Sequence, residues 1–241
     1  MIFRKAVLII HGFAGGVYDE ERLQYHLNSK MGLDVYNFTL PGHTRNLTHD
    51  ISYQEWIDSA EKHVEILIQK GYHTIYVIGH SMGGILATHV AIKYKEVKKL
   101  VLAAPAFQYL DEDSELKDKV DAIVKNGMNI VKTYHAKEIL SRMLKVSIPM
   151  LVEFHKIVEK SQDKPSKVMV PTLIFQGTSD EIVPKTSSEF VYDNVKGKRW
   201  LVYLDGITHD IFRSKKTDKV NKEIEKFLLS SMYREENIRN W

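Results

Sequence analysis

Short apolar runs rich in β-branched residues punctuate the chain at Ala6–Ile10, Asp34–Leu40, Thr74–Ile78, Leu100–Ala103, Thr172–Phe175 and Trp200–Leu204. They lack a clean polar alternation, the pattern of strands buried on both faces as in a parallel sheet. Helical periods lie between them. Trp56, Ala60, His63, Val64, Leu67 and Ile68 share one stripe of a helix that ends near Gly71. Ile85–Tyr94 and Thr217–Leu229 predict two more helices. Strands alternating with helices imply an α/β fold, a parallel sheet with helices on both faces, and ligand chemistry at the carboxyl ends of the strands.

Between Pro105 and Val170 the rhythm stops and only helical stripes remain. Leu116, Val120, Ile123 and Val124 form one, and Ile139, Leu140, Met143 and Leu144 another. The third, Ile148 to Val158, is apolar on two faces: Ile148, Leu151, Val152 and His155 on one, Met150, Phe154, Ile157 and Val158 on the other. A helix apolar all round must be covered on two sides. The expected organisation is a core of residues 1–104 and 171–241, with residues 105–170 inserted as a helical cap over the site. Helices that simply pack on the sheet are the alternative.

Composition removes several classes of function. Hydrophobic residues at 44% and charged residues at 27% are an ordinary globular balance, so neither a disordered nor a fibrous chain is expected. The 34 Lys and Arg nearly balance the 31 Asp and Glu. Lys215, Lys216, Lys219, Lys222 and Lys226 recur at helical spacing, but Asp218, Glu223 and Glu225 are interleaved. That is a solvated helix face and not the concentrated basic patch that nucleic acid requires. With no cysteine there is neither a disulfide framework nor a thiolate nucleophile. The apolar stretch after Arg4-Lys5 is too short for a signal peptide, and no run approaches a membrane span. A soluble, cytoplasmic protein without stable membrane insertion is expected.

The strongest local signal is Gly79-His80-Ser81-Met82-Gly83-Gly84, which fits G-x-S-x-G. It follows an apolar strand run and opens a helix, the context in which a serine stands on a sharp strand-to-helix turn. Glycines two residues either side lack the Cβ that would clash there. The helix N-terminus behind the serine supplies free N–H groups and a positive dipole end. After the first strand comes His11-Gly12-Phe13-Ala14-Gly15-Gly16. Such a loop can bring backbone N–H groups to a substrate oxygen, so the expected oxyanion donors are the N–H groups of Phe13 and Met82, with Ala14 a substitute for Phe13. Neither G-x-G-x-x-G nor G-K-[ST] occurs, which disfavours a phosphate cradle.

A serine needs a base. In chains built around this elbow the order is Ser, then Asp or Glu, then His. Downstream of Ser81 stand His89, His135, His155 and His209, and His209 alone follows the last predicted strand. The acid should follow the strand before it, where Asp180 lies in a turn-rich loop. Glu181, Asp205 and Asp210 are its rivals. His11, His43 and His80 are expected to hold loops by side-chain hydrogen bonds, and His89 and His155 to belong to helices. No H-E-x-x-H or comparable cluster occurs, so neither metal nor cofactor is expected.

Taken together, His11-Gly12-Phe13, Leu40-Pro41-Gly42-His43, Gly79 to Gly84, Gly177-Thr178-Ser179-Asp180 with Val183-Pro184, and Gly206 to His209 extend over nearly the whole chain. In that order they resemble the α/β-hydrolase superfamily, above all its compact bacterial carboxylesterase and monoacylglycerol-lipase branch. The resemblance implies ester hydrolysis through an acyl-enzyme, with Ser81, His209 and Asp180 as the catalytic residues and a mobile cap lining an acyl pocket. Family members begin with two further strands, whereas this chain starts almost at the third, so about six mainly parallel strands are expected. Met128, Met143, Met150, Leu151 and Phe154 would line a pocket for short- to medium-chain or aryl esters, and methionines suit one that adapts to several shapes. Plain packing within the cap accounts for the methionines equally well. A thioesterase, a peptidase or a C–C bond hydrolase would share the triad, and a non-catalytic ligand receptor would share the fold. A dehalogenase is disfavoured because its nucleophile is a carboxylate.

Overall fold

In the computed structural model of the chain, residues 5–30, 32–43, 51–108 and 148–241 are described. Each apolar run becomes a strand: β1 (Lys5–Ile10), β2 (Leu33–Phe38), β3 (Ile75–His80), β4 (Val97–Ala103), β5 (Thr172–Gly177) and β6 (Arg199–Leu204). All pair in parallel in one sheet of order β2-β1-β3-β4-β5-β6-β7. The seventh strand, β7 (Ile238–Asn240), exceeds the six expected. It has no apolar run to betray it. It is a short edge strand whose residues are alternately exposed and half-buried, held by its pairing with β6.

Six helices flank the sheet: α1 (Glu21–Asn28), α2 (Tyr53–Gln69), α3 (Met82–Lys93), α4 (Ile148–Lys160), α5 (Lys185–Asn194) and α6 (Thr217–Leu229) among the described residues. Helix α2 starts with a capping box, in which the Ser52 side chain accepts from the Glu55 N–H and the Glu55 carboxylate accepts from the Ser52 N–H. Its stripe of Trp56, Ile57, Ala60, Val64 and Leu67 is buried. Helix α3 buries Met82 to Thr88 on every side, against β3, β4, α2 and α4. That is why it reads as apolar without a clear face. The serine at its head is therefore mounted on a helix buried within the core.

Of the predicted cap, α4 is described. It buries Met150, Phe154, Ile157 and Val158 and leaves Leu151, Val152 and His155 half-buried, so the broad apolar surface resolves into one inward face. It packs on α2 and α3, and the Tyr53 N–H donates to Glu153 Oε2 at 2.9 Å. The stripes at 116–124 and 139–144, and with them Met128, Met143 and His135, lie outside the described residues. No helix among the described residues is long and apolar enough to cross a membrane.

Candidate active site

Ser81 sits between β3 and α3 with φ 55° and ψ −121°. A non-glycine residue in that region is strained by roughly 1–3 kcal/mol and persists only where its surroundings over-determine it. Here they do. The Ser81 N–H donates to Ala103 O at 2.9 Å, while its carbonyl accepts from Gly84 N at 2.9 Å and Ala106 N at 3.2 Å. The hydroxyl makes no capping bond to α3, so it is not engaged in holding the helix. Ala14 (φ 56°) and Ala104 (φ 44°) are the other non-glycine residues with positive φ among the described residues, and both lie at carboxyl ends of strands beside the elbow.

The loop after β5 and the loop after β6 meet because Gly177 lets them. A Cβ at Gly177 would stand 2.3 Å from Ile207 O and 2.8 Å from Thr208 O, an impossible approach for any side chain. The contact is sealed by the Ser179 N–H donating to Ile207 O at 2.9 Å. Across it, His209 Nδ1–H donates to Asp180 Oδ2 at 2.8 Å, with the Asp180 side chain fully buried and the His209 side chain 8% exposed. Asp180 Oδ1 accepts from the N–H groups of Ile182 and Val183, both at 2.9 Å. A carboxylate so held on both oxygens is fixed in orientation. With the proton on Nδ1, Nε2 of a neutral imidazole carries the free lone pair and can accept.

The rivals for the acid stand otherwise. Glu181 is exposed, and exposed Asp205 accepts a bond from Thr178 at 3.4 Å. Asp210 is buried beside the site without being the partner of His209 Nδ1.

Ser81 and His209 line the same small cavity, about 30 Å³, with Gly12, Phe13, Ala14, Gly15, Asp19, His80 and Asp210 around it. That volume holds about one water. The Phe13 and Met82 N–H groups have no hydrogen-bond partner among the described residues. Of the residues expected to bind substrate, Met150, Leu151 and Phe154 do not border this cavity. Phe154 instead lies against Phe13, and Met150 closes on Gly42.

The histidines around the elbow hold loops, each in a way its environment dictates. His11 Nδ1–H donates to Gly12 O at 2.8 Å, and its Nε2 accepts from the Leu40 N–H at 3.0 Å. Burial, with His43 and His80 nearby, pushes its pKa down to about 3, so the ring is neutral. His43 Nδ1–H donates to Pro41 O at 2.9 Å, and burial lowers its pKa also. His80 lies between the Glu20 carboxylate, 3.1 Å from Nδ1, and the carbonyl of His209, 3.0 Å from Nε2.

Two supporting residues escaped sequence reasoning. Glu20 precedes a weakly patterned helix and meets His80 only through the fold. Gln176 had a visible signal, a polar residue in the buried strand Thr172–Gly177. Its amide donates to Gly177 O, Val183 O and Asp180 Oδ2, and its oxygen accepts from Ser188. Among the described residues no group of three His, Cys, Asp or Glu side chains is arranged to hold a metal ion.

The sequence profile of a family described as serine aminopeptidase, S33, matches residues 3–216. A carboxylesterase of Bacillus subtilis is 22% identical over 234 residues, covering 93% of this chain and 92% of its own. A thermostable monoacylglycerol lipase of Bacillus sp. H-257 is 24% identical, over 78% of this chain and 76% of its own. Among solved structures, an esterase of Exiguobacterium antarcticum superposes with a TM-score of 0.75 at 20% identity, over 94% of this chain and 92% of its own. That structural likeness establishes the fold.

Proposed function

Because the chain belongs to the serine aminopeptidase S33 family and is an esterase/lipase-type α/β-hydrolase, we propose that it is a serine carboxylesterase working through an acyl-enzyme on short- to medium-chain or aryl esters. The observation that carries this is the 2.8 Å bond from His209 Nδ1 to a buried Asp180, with His209 and Ser81 on the wall of one cavity. Ser81 Oγ attacks the ester carbonyl as His209 Nε2 takes its proton, and Asp180 stabilises the imidazolium that forms. The N–H groups of Phe13 and Met82 hold the oxyanion, each contributing roughly 3–4 kcal/mol to the transition state. His209 then returns the proton to the leaving alcohol and, in the second half-reaction, deprotonates the water that frees the acid. In this proposal residues 105–170 form a cap, and the apolar character of its sequence favours an apolar acyl or aryl group.

Peptide hydrolysis is the second reading, since the family's description names an aminopeptidase. The test is to treat the protein with a fluorophosphonate and to follow p-nitrophenyl esters of increasing acyl length, acyl thioesters and aminoacyl p-nitroanilides. Labelling and ester turnover are expected to vanish in Ser81→Ala, and kcat to fall by about 10³–10⁴ in Asp180→Asn. Faster anilide than ester turnover favours the peptidase, and thioester preference a thioesterase. A wild type that neither labels nor turns over any of them favours a ligand receptor on this fold.

A further inference from the structure

The His80–Glu20 pair is a buried ionisable couple that the proposed mechanism does not use. Glu20 is fully buried at the head of α1, and His80, just before Ser81, is 7% exposed. Both ring nitrogens of His80 face acceptors: Nδ1 meets Glu20 Oε1 at 3.1 Å and Nε2 meets the backbone carbonyl of His209 at 3.0 Å. A neutral imidazole facing two acceptors can donate to only one of them. The other oxygen of Glu20 is buried and has no hydrogen-bond partner among the described residues, so His80 is the group that compensates this carboxyl. Buried polar atoms without partners are costly, and such a pair is kept intact only by a proton between its members.

We propose that His80, held by Glu20, is a positioning residue that donates its Nε2–H to the His209 carbonyl and thereby fixes the base relative to the serine one residue further along the chain. One rigid ring then joins three separate pieces of chain: the head of α1, the elbow and the loop after β6. The rings of His80 and His209 are tilted by 32° with centroids 5.0 Å apart, and the Phe212 ring stands edge-on to His80 at 5.6 Å, which leaves the imidazole little room to turn.

The charged groups around His80 are Glu20 and Asp19 from the head of α1, and His209 and Asp210 from the loop after β6. Arg213 follows on that loop, 3.6 Å from Asp19, and neutral His11 stands beyond β1. Burial by itself lowers the His80 pKa, but the Glu20 bond and charge, with Asp210 and the His209 carbonyl, outweigh it and raise it to about 9. Burial likewise raises the Glu20 carboxyl. The pair therefore shares one proton at neutral pH, and wherever that proton sits, Nε2 keeps its own. Loss of a proton at alkaline pH leaves Glu20 ionised and draws the remaining ring proton to Nδ1. A bare Nε2 then faces the His209 carbonyl.

This inference rests on the hydrolase reading, and two measurements separate them. Nitrogen-15 NMR of the histidine rings needs no activity. It is expected to find a proton on His80 Nε2 at pH 7, lost as pH rises through about 9. An unprotonated Nε2 at pH 7 overturns the proposal whether or not the protein hydrolyses esters. In kinetics with p-nitrophenyl butyrate, His80→Phe should lower kcat by roughly 10- to 100-fold with little change in KM, the scale of a misplaced catalytic group. His80→Gln, whose amide N–H reaches the position of Nε2, should recover most of that loss. Glu20→Gln should abolish the alkaline fall in kcat, because its neutral His80 can keep the proton on Nε2 by accepting from the new amide. Wild-type kcat in His80→Phe, no recovery in His80→Gln, or an unchanged alkaline fall in Glu20→Gln overturns it. Failure of the wild type to label with fluorophosphonate sinks the hydrolase reading instead.

Discussion

The ring of Phe154 lies stacked on the ring of Phe13, with centroids 4.8 Å apart and planes 14° from parallel. Phe13 belongs to the loop after β1 and bears one of the two N–H groups proposed to hold the oxyanion, while Phe154 belongs to α4, within the predicted cap. His43 and Trp56 meet the Phe13 ring edge-on at 5.8 and 5.9 Å. The side chain that orients a proposed oxyanion donor is thus clamped between the core and α4. Any shift of α4 would be felt at the donor.

Removing the clamp should therefore cost both stability and rate. Phe154→Ala deletes a side chain that is 3% exposed and leaves a cavity, a change worth about 3–5 kcal/mol. Its expected effect on kcat for p-nitrophenyl butyrate is about tenfold. That is less than the loss of a whole oxyanion donor, because the Phe13 N–H is loosened and not removed. Thermal melts and steady-state kinetics on the same preparation measure both. An unchanged kcat would uncouple α4 from the oxyanion loop.

Gly12 is the point where the loop after β1 touches the elbow. A Cβ there would come to 2.9 Å from Ser81 Cβ and 3.3 Å from His80 O. Since Ser81 is held by backbone bonds on both sides, the loop must give way instead. Gly12→Ala is expected to slow fluorophosphonate labelling by about 100-fold, the effect of misplacing reacting groups by an ångström. The stability cost, that of a modest overpacking, should be about 1–3 kcal/mol. Labelling at the wild-type rate would mean that the loop does not carry the proposed donor.

His11 predicts the direction of acid sensitivity. In the unfolded chain its imidazole takes up a proton near 6.5, and in the folded protein only near 3. Unfolding therefore binds a proton across that window, and stability contributed by neutral His11 is lost as pH falls from about 6.5 towards 3. His89, lowered to about 4 chiefly by burial, acts in the same direction and is unchanged by a substitution at His11. In His11→Asn the fall of Tm between pH 6.5 and 4 should be shallower by the contribution of one proton. Equal slopes would mean that His11 is already protonated in the folded protein.

The sequence by itself determined the six main strands, the helices Tyr53–Gln69, Met82–Lys93, Ile148–Lys160 and Thr217–Leu229, and the strand-end positions of Ser81, Asp180 and His209. These are legible because hydrophobic period and glycine punctuation are local properties, written within a dozen residues. Only the tertiary structure decided the rest. Helix α1 buries just Leu23 and Leu27, and α5 buries Ser187 and Ser188 beside Val191, so neither carries the apolar stripe by which a helix is read. Strand β7 exists through its ladder with β6 and has no apolar run. Which acid meets His209, what Glu20 compensates and where Phe154 rests are contacts between residues 29, 60 and about 140 positions apart. Such contacts depend on how packed layers bring distant loops together at one edge of the sheet, and no local period encodes that.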